Sequence, residues 1–403
     1  MANEIKIPFS PPDVGQEEID AVAEVMRSGW LTTGPKTKEL ERRIADYCKV
    51  GRAVCLNSET ASLEMSLHLF GIGPGDEVIV PAYTYTASAS VVCHVGATLR
   101  LVDVEKGTYH IDYDALEAMI NSKTKAVIPV DVAGIMVDYD RIRQIVEAKK
   151  HLFTPENDIQ DALGRVLILA DSAHGFGSVR NGRISGQCAD FTCFSFHAVK
   201  NLVMGEGGGI VWRDIDGIDN EDIYNRLMLL SLHGQSKDAL AKTKLGAWEY
   251  DILNTYYKCN ITDIASAMGL VQLKKYDSLI KRRLEIAKMY YDAIACDEVD
   301  VIKHETEEYI SNGHLMLVRL LNSGEAGRNE LITKMAEKGI ATNVHYKPLP
   351  MHTAYKNLGF DIKDFPNAYE MYHNEISLPI HTKLTDSQVE YVIENFDALR
   401  RTI

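Results

Sequence analysis

At 403 residues, with 46% hydrophobic and 25% charged side chains, the chain can bury a large core and has the composition of a globular protein of two or three domains. Its formal net charge of −14 argues against nucleic acid and against an anionic membrane surface as partners, so a phosphorylated ligand must be held by local donors against the overall field. No signal-like or membrane-length apolar run occurs, and the seven cysteines contain no CxxC, so a reducing, cytoplasmic setting is expected. Cys188 and Cys193 read as core thiols, not a zinc pair, and no metal site is expected.

Residues 1–12 read as an irregular arm, because Pro8, Pro11 and Pro12 oppose regular structure. Asp13 is placed to cap a helix over residues 15–29, with Ile19, Val22, Val25 and Met26 on its apolar face. The segment 29–35 breaks the chain, and Trp30 within it reads as a ligand platform or as a core plug. After a helix around Lys38–Tyr47, strand-like Ala53–Leu56 runs into Asn57-Ser58-Glu59-Thr60-Ala61-Ser62 and a helix over Leu63–Phe70. Hydroxyls and free N–H groups at a helix start make an anion site, although the same residues also make a simple N-cap. Glu59 sits awkwardly in such a site: a carboxylate repels an anion, so its side chain is expected to point away while its N–H donates.

Glu77–Pro81 is the next strand, leading into Tyr83 and Tyr85, aromatics that can stack on a planar ligand or fill the core. Strands at Thr98–Val104 and Lys125–Val130 alternate with helices at Asp112–Ile120 and Asp138–Lys149. This alternation predicts a parallel α/β sheet whose ligands gather at the carboxyl ends of its strands. His151–Gly164 is polar and reads as a surface insertion. Beyond Trp212 the order changes: a helix at Asp222–Leu232, a polar stretch over Ser236–Tyr257 carrying Trp248 and Tyr250, and a long helix at Ile264–Asp292 opened by Asn260-Ile261-Thr262-Asp263. A strand at His314–Leu320 and a helix at Arg328–Lys338 then suggest a small α+β domain, dividing the chain into 1–255 and 256–403.

The stretch 165–212 organises the rest. Three apolar, strand-like runs lie in it, at Val166–Ala170, Phe191–Phe196 and Gly209–Trp212. The first delivers Asp171 at its carboxyl end, followed by His174; the second ends in a short segment closing on Lys200. A buried acid and a buried lysine on neighbouring strand ends suit a cofactor with a cationic ring nitrogen and an aldehyde. Pyridoxal phosphate (PLP) has both, and the turn Ser58-Glu59-Thr60 is the expected seat of its phosphate.

SGWLTTGPK (28–36), GIGPGDEVIVPAYTYTAS (71–88), ADSAHGFGS (170–178), CFSFHAVKNL (193–202), GEGGGIV (205–211), YKCNITDIASAMGLVQL (257–273) and SLPIH (377–381) occur in an order that resembles the DegT/DnrJ/EryC1/StrS family of PLP-dependent sugar aminotransferases over essentially the whole chain. The resemblance implies fold type I of the PLP enzymes, aspartate aminotransferase-like, with a large mostly parallel sheet domain and a small C-terminal α+β domain. It implies that Lys200 holds PLP and moves the substrate proton, and that Asp171 pairs with the pyridinium nitrogen. His174 falls near the ring and its 3′-oxygen. Ser58, Thr60, the N–H of Glu59 and Ser195 fall at the phosphate, Tyr85 on the ring face, and Asn260 at the phosphate of the partner subunit in a homodimer.

Trp30, Thr32, Tyr346, Lys347 and His352 are candidates for the sugar nucleotide, although HYKPLPMH (345–352) also reads as a strand followed by a Pro-rich turn. The motifs look closest to the subgroup that aminates C4 of a UDP-linked sugar, such as the 4-amino-4-deoxy-L-arabinose enzyme. The implied reaction moves an amino group from L-glutamate to a nucleotide-linked keto-sugar, with C3 amination or a dTDP- or GDP-linked sugar as alternatives. Two other classes fit the residues less well. A nicotinamide dehydrogenase needs a GxGxxG turn where this chain has NSETAS. A non-catalytic regulator or scaffold on the same fold would carry no cofactor.

Overall fold

The computed structural model describes residues 6–236 and 249–403. Thirteen strands are found among them: β1 (Ala53–Leu56), β2 (Glu77–Pro81), β3 (Thr98–Val102), β4 (Thr124–Val127), β5 (Leu167–Asp171), β6 (Val179–Arg180), β7 (Arg183–Ile184), β8 (Phe191–Ser195), β9 (Gly208–Trp212), β10 (Val299–Val301), β11 (Tyr309–Ile310), β12 (Met316–Leu320) and β13 (Glu375–Leu378). The helices that matter below are α1 (Gln16–Ser28), α2 (Pro35–Cys48), α3 (Glu59–Leu69), α4 (Thr86–His94), α5 (Tyr113–Met119), α6 (Tyr139–Ala148), α7 (Asp158–Leu163), α8 (Asn220–Ser231) and α9 (Asp263–Ile294).

Seven strands form the large sheet in the order β1-β9-β8-β5-β4-β2-β3. β2, β3, β4, β5 and β8 pair in parallel, whereas β9 runs antiparallel to both of its neighbours, β1 and β8. The sheet is thus mostly parallel, as the α/β alternation predicts, and fits the fold type I that the family resemblance implies. The runs AVCL, FTCF and GGIVW are buried along their length, which is the signature of strands covered on both faces by helices.

A second core gathers Ile7, Ile286, Tyr290, Val318, Leu331, Ile376 and Phe396 around the antiparallel sheet β10-β12-β13. The N-terminal arm belongs to it: the N–H groups of Lys6 and Ile7 donate to Gly339 O at 2.9 Å, and Ala341 N–H donates to Ile7 O at 3.0 Å. Helix α9 spans both parts, with its first half against α1 and α2 and residues Ile286–Ile294 in the second core.

Three local expectations are corrected. The N-cap of α1 is Gly15, not Asp13, and Glu18 closes the cap by accepting the Gly15 N–H at 2.8 Å. Ile19 and Met26 are more than half exposed, while Val25 and the carboxyl of Glu18 are buried against α9, where Gln272 and Lys275 donate to Glu18 at 2.8 and 2.6 Å. A paired, buried carboxylate chose the face of this helix over its apolar side chains. The insertion 151–164 is not merely surface: it contains α7, whose Gln160 and the preceding Asn157 donate to Phe70 O at 2.6 and 2.9 Å, satisfying the end of α3. Within the polar stretch 236–257, Trp248 lies outside the described residues, while Tyr250 is exposed.

Candidate active site

The carboxyl ends of β1, β2, β4, β5 and β8, with the start of β9, surround a cavity of about 340 Å³. Its wall includes Ser58, Glu59, Thr60, Tyr85, Asp171, His174, Ser195, Lys200 and Tyr346. Helix α3 begins at Glu59, four residues before the expected start at Leu63, because Ser58 caps it: its Oγ accepts the Ala61 N–H at 3.1 Å and its carbonyl the Ser62 N–H at 3.2 Å. The N–H groups of Glu59 and Thr60 are left at the open end of the helix, on the cavity wall.

This turn is pressed onto β9. A Cβ on Gly208 would lie 2.2 Å from the carbonyl carbon of Ser58 and 2.4 Å from the nitrogen of Glu59, so only glycine allows the approach. Replacing Gly208 with alanine is expected to push the turn away, costing about 1–3 kcal/mol of stability and weakening binding of the cofactor's phosphate together. Thermal melting and cofactor titration check both; unchanged values in both would refute the close approach.

Asp171 ends β5 and is 4% exposed. Ser88 of α4 donates to its Oδ2 at 2.5 Å and the Ala173 N–H to its Oδ1 at 3.2 Å. Lys200 follows β8 in a turn closed by its N–H on His197 O at 2.8 Å. Burial pulls its ammonium down to about 8, with Asp171 and then Glu59 opposing. A lysine is nucleophilic only when neutral, and below its pKa it is protonated. The rate of covalent cofactor uptake by the stripped protein is therefore expected to climb about tenfold per pH unit from pH 6 and to level off near pH 8, followed as growth of the visible band.

His174 is neutral. Its Nδ1 accepts the Ala133 N–H at 3.3 Å, so the ring proton is on Nε2, which meets the Tyr346 hydroxyl at 3.0 Å. Burial, with Lys200 and His345 nearby, holds it well below the usual imidazole range. Tyr83 proves to be a buried latch: its hydroxyl donates to His345 O at 2.7 Å and accepts the Tyr346 N–H at 2.8 Å, tying the segment 345–346 to the sheet. Tyr85 is 60% exposed on the cavity wall, its ring 5.9 Å from that of Tyr346. Tyr83, read from the sequence as a stacking or core aromatic, takes the core role. Ser88 and His314, whose ring lies 4.3 Å from that of His174, carry no local mark and are recognised only by their contacts with Asp171 and His174.

The remaining candidates are not brought to the cavity of their own chain. Asn260 donates to Thr33 Oγ1 at 2.6 Å, Trp30 donates to Thr33 O at 3.2 Å, and Thr32 is exposed beside them with its carbonyl on the Asp263 N–H. Lys347 and His352 are exposed, with His352 Nε2 on Lys347 O at 3.2 Å. The Glu59 side chain, expected to point away from the phosphate, is buried, 5% exposed, with Asp171 and Lys200 as its nearby charges.

The DegT/DnrJ/EryC1/StrS aminotransferase family matches residues 12–397. This chain belongs to that family. It is a PLP-dependent sugar aminotransferase. Spr1654 of Streptococcus pneumoniae, described as a sugar aminotransferase, superimposes in its PMP form with a TM-score of 0.96 at 52% identity, covering 98% of this chain and all of that one. The spore coat polysaccharide biosynthesis protein SpsC of Bacillus subtilis is 36% identical over 393 residues, 96% of this chain and 95% of that protein. PseC of Helicobacter pylori, an aminotransferase of pseudoaminic acid biosynthesis, superimposes with a TM-score of 0.86 at 26% identity, covering 98% of this chain and 100% of that one.

The residues present fit PLP. The cavity is the right size for it, a buried acid carries two donors of its own, a lysine stands opposite, and the open end of α3 offers N–H groups to a phosphate. Among the described residues no helix is long and apolar enough to cross a membrane.

Proposed function

We propose that this enzyme takes the amino group of L-glutamate and delivers it to a nucleotide-linked keto-sugar, at C4 and on a UDP sugar as first choice, for cell-surface polysaccharide, lipopolysaccharide or antibiotic sugar synthesis. The observation that carries the reading is the meeting of Lys200, Asp171, His174, Ser195 and the turn 58–60 around one cavity in a chain of this family. The likeness to SpsC and PseC, named for polysaccharide and pseudoaminic acid biosynthesis, supports a sugar product.

Bound PLP supplies the electron sink that acidifies the carbon bearing the amine. The chain does the rest. Lys200 would hold the cofactor and, as a neutral amine, would take the proton from the donor's Cα and return one to the sugar carbon. Asp171 would accept the ring N–H, its charge sustained by Ser88 and the Ala173 N–H. Ser58, Thr60, Ser195 and the N–H of Glu59 would hold the phosphate. His174, fixed as the Nε2–H tautomer, Tyr346 and Tyr85 would position the ring. Tyr346 is the sugar-nucleotide candidate that reaches the cavity, and we assign Trp30, Thr32, Lys347 and His352 to the nucleotide end.

We also propose a homodimer in which Asn260 completes the partner's phosphate site; what supports it is that Asn260 is not on the cavity wall of its own chain. Incubating the PLP-loaded enzyme with glutamate and a panel of 3-keto and 4-keto sugar nucleotides, pentose and hexose, should yield one amino sugar with an equal amount of 2-oxoglutarate. If every candidate stays unaminated, the sugar assignment is wrong. In mixtures of Lys200→Ala and Asn260→Ala chains, hybrid dimers should recover about one working site in two, and no recovery would refute sharing across the interface.

A further inference from the structure

Glu59 is a carboxyl in a turn that must receive a dianion. If charged, it would add a second buried negative charge near Asp171 in the cavity that is to take a phosphorylated cofactor. Its backbone is not free to move, since the turn at 58–59 is clamped against Gly208, and the residue is buried, 5% exposed. Among the described residues its Oε1 has no hydrogen-bond partner, and Glu59 and the buried Asp171 line the same cavity.

Two carboxyls buried side by side disfavour each other's charge, and the donors around them decide which of the two keeps a proton. Asp171 receives two, the Ser88 hydroxyl on Oδ2 and the Ala173 N–H on Oδ1. Glu59 receives none, and its orphaned oxygen would be an uncompensated buried charge if ionised. The groups that face it are Asp171 of β5, Lys200 after β8, Cys193 of β8 and Tyr346. Of these only Lys200 favours a charge on it.

We propose that Glu59 is a neutral carboxylic acid that donates its proton in a hydrogen bond to Asp171, and that this is how a carboxyl is tolerated in the phosphate-binding turn. Burial and Asp171 both push Glu59 well above the ordinary carboxylate range, in the same direction as the hydrogen-bond count. Glu59 is then a positioning residue: it presents a donor to the acid that faces the cofactor's ring nitrogen and adds no charge beside the phosphate. The inference rests on the reading that the turn 58–60 takes the phosphate.

The test compares wild type, Glu59→Gln and Glu59→Ala. An amide keeps the size, the neutrality and a donor. In wild-type protein stripped of cofactor, the infrared spectrum at pH 7 should show a protonated-carboxyl C=O band that disappears in Glu59→Gln. PLP titrated into the stripped proteins should bind Glu59→Gln within about threefold of wild type at pH 7. As pH rises through the point where Glu59 ionises, wild type should weaken and Glu59→Gln should not. Glu59→Ala, lacking the donor, should bind at least about fivefold more weakly than Glu59→Gln. Absence of the band, or tightening of PLP by tenfold or more in Glu59→Gln, would show that Glu59 is charged and overturn the proposal. If wild type itself binds neither PLP nor inorganic phosphate, the reading of the turn fails, a different result from failure of the Glu59 proposal.

Discussion

Lys200→Ala is expected to lower kcat at least about 10^4-fold, because one change removes both the amine that holds the cofactor and the base that moves the proton. Folding should survive. Among the described residues the Lys200 Nζ makes no hydrogen bond or ion pair, and burial penalises its charge, so the melting temperature should stay level or rise slightly. Two measurements separate this from a general loss of structure. The purified variant should lack the visible band of lysine-bound PLP, while PLP should still bind non-covalently through the phosphate turn. A variant that keeps the wild-type band and turnover would place the reacting lysine elsewhere.

Asp171→Ala should cost about 10^2–10^3 in kcat, about 2.7–4 kcal/mol of electrostatic stabilisation, while the covalent link to Lys200 still forms. The distinguishing feature is the split: the visible band is present but turnover is lost. Removing Asp171 also removes the first group that holds the Lys200 ammonium up, so the pH at which cofactor uptake levels off should fall below about 8. Single-turnover kinetics with glutamate and a pH series of uptake rates read both effects. An upward movement of that pH would contradict the electrostatic assignment.

Much of the site was legible because its parts are local. Asp171 and Lys200 stand where an apolar run ends, and such ends collect at one edge of a parallel sheet. The hydroxyls of Ser58 and Thr60 marked a helix start, although the helix was expected only from Leu63. The need for glycine at 208 shows only once another strand's turn rests on it. What was misread depended on partners distant in sequence. Periodicity placed Ile19 and Met26 inside α1, yet Glu18 is the buried residue because Gln272 and Lys275, some 250 positions away, meet it there. For Glu59, residue type led only to the expectation that its side chain points away from a phosphate, and not to where it goes. A second carboxyl, from a strand more than a hundred residues on, changes which protonation state it holds.

By itself the sequence determined the α/β class, through strand and helix period, and singled out an acid, a lysine and a hydroxyl-bearing turn as candidates. The fold type and the roles expected of these residues came from the family resemblance. Only the tertiary structure decided that Ser88 and Ala173 hold the charge on Asp171, that the Ala133 N–H selects the tautomer of His174, and that Tyr83 ties the segment carrying Tyr346 to the sheet. The physical reason is the same in each case. A hydrogen bond or a shared proton belongs to a pair of groups, and the distance between them is set by how the sheet and its helices pack rather than by either residue's neighbours in the chain.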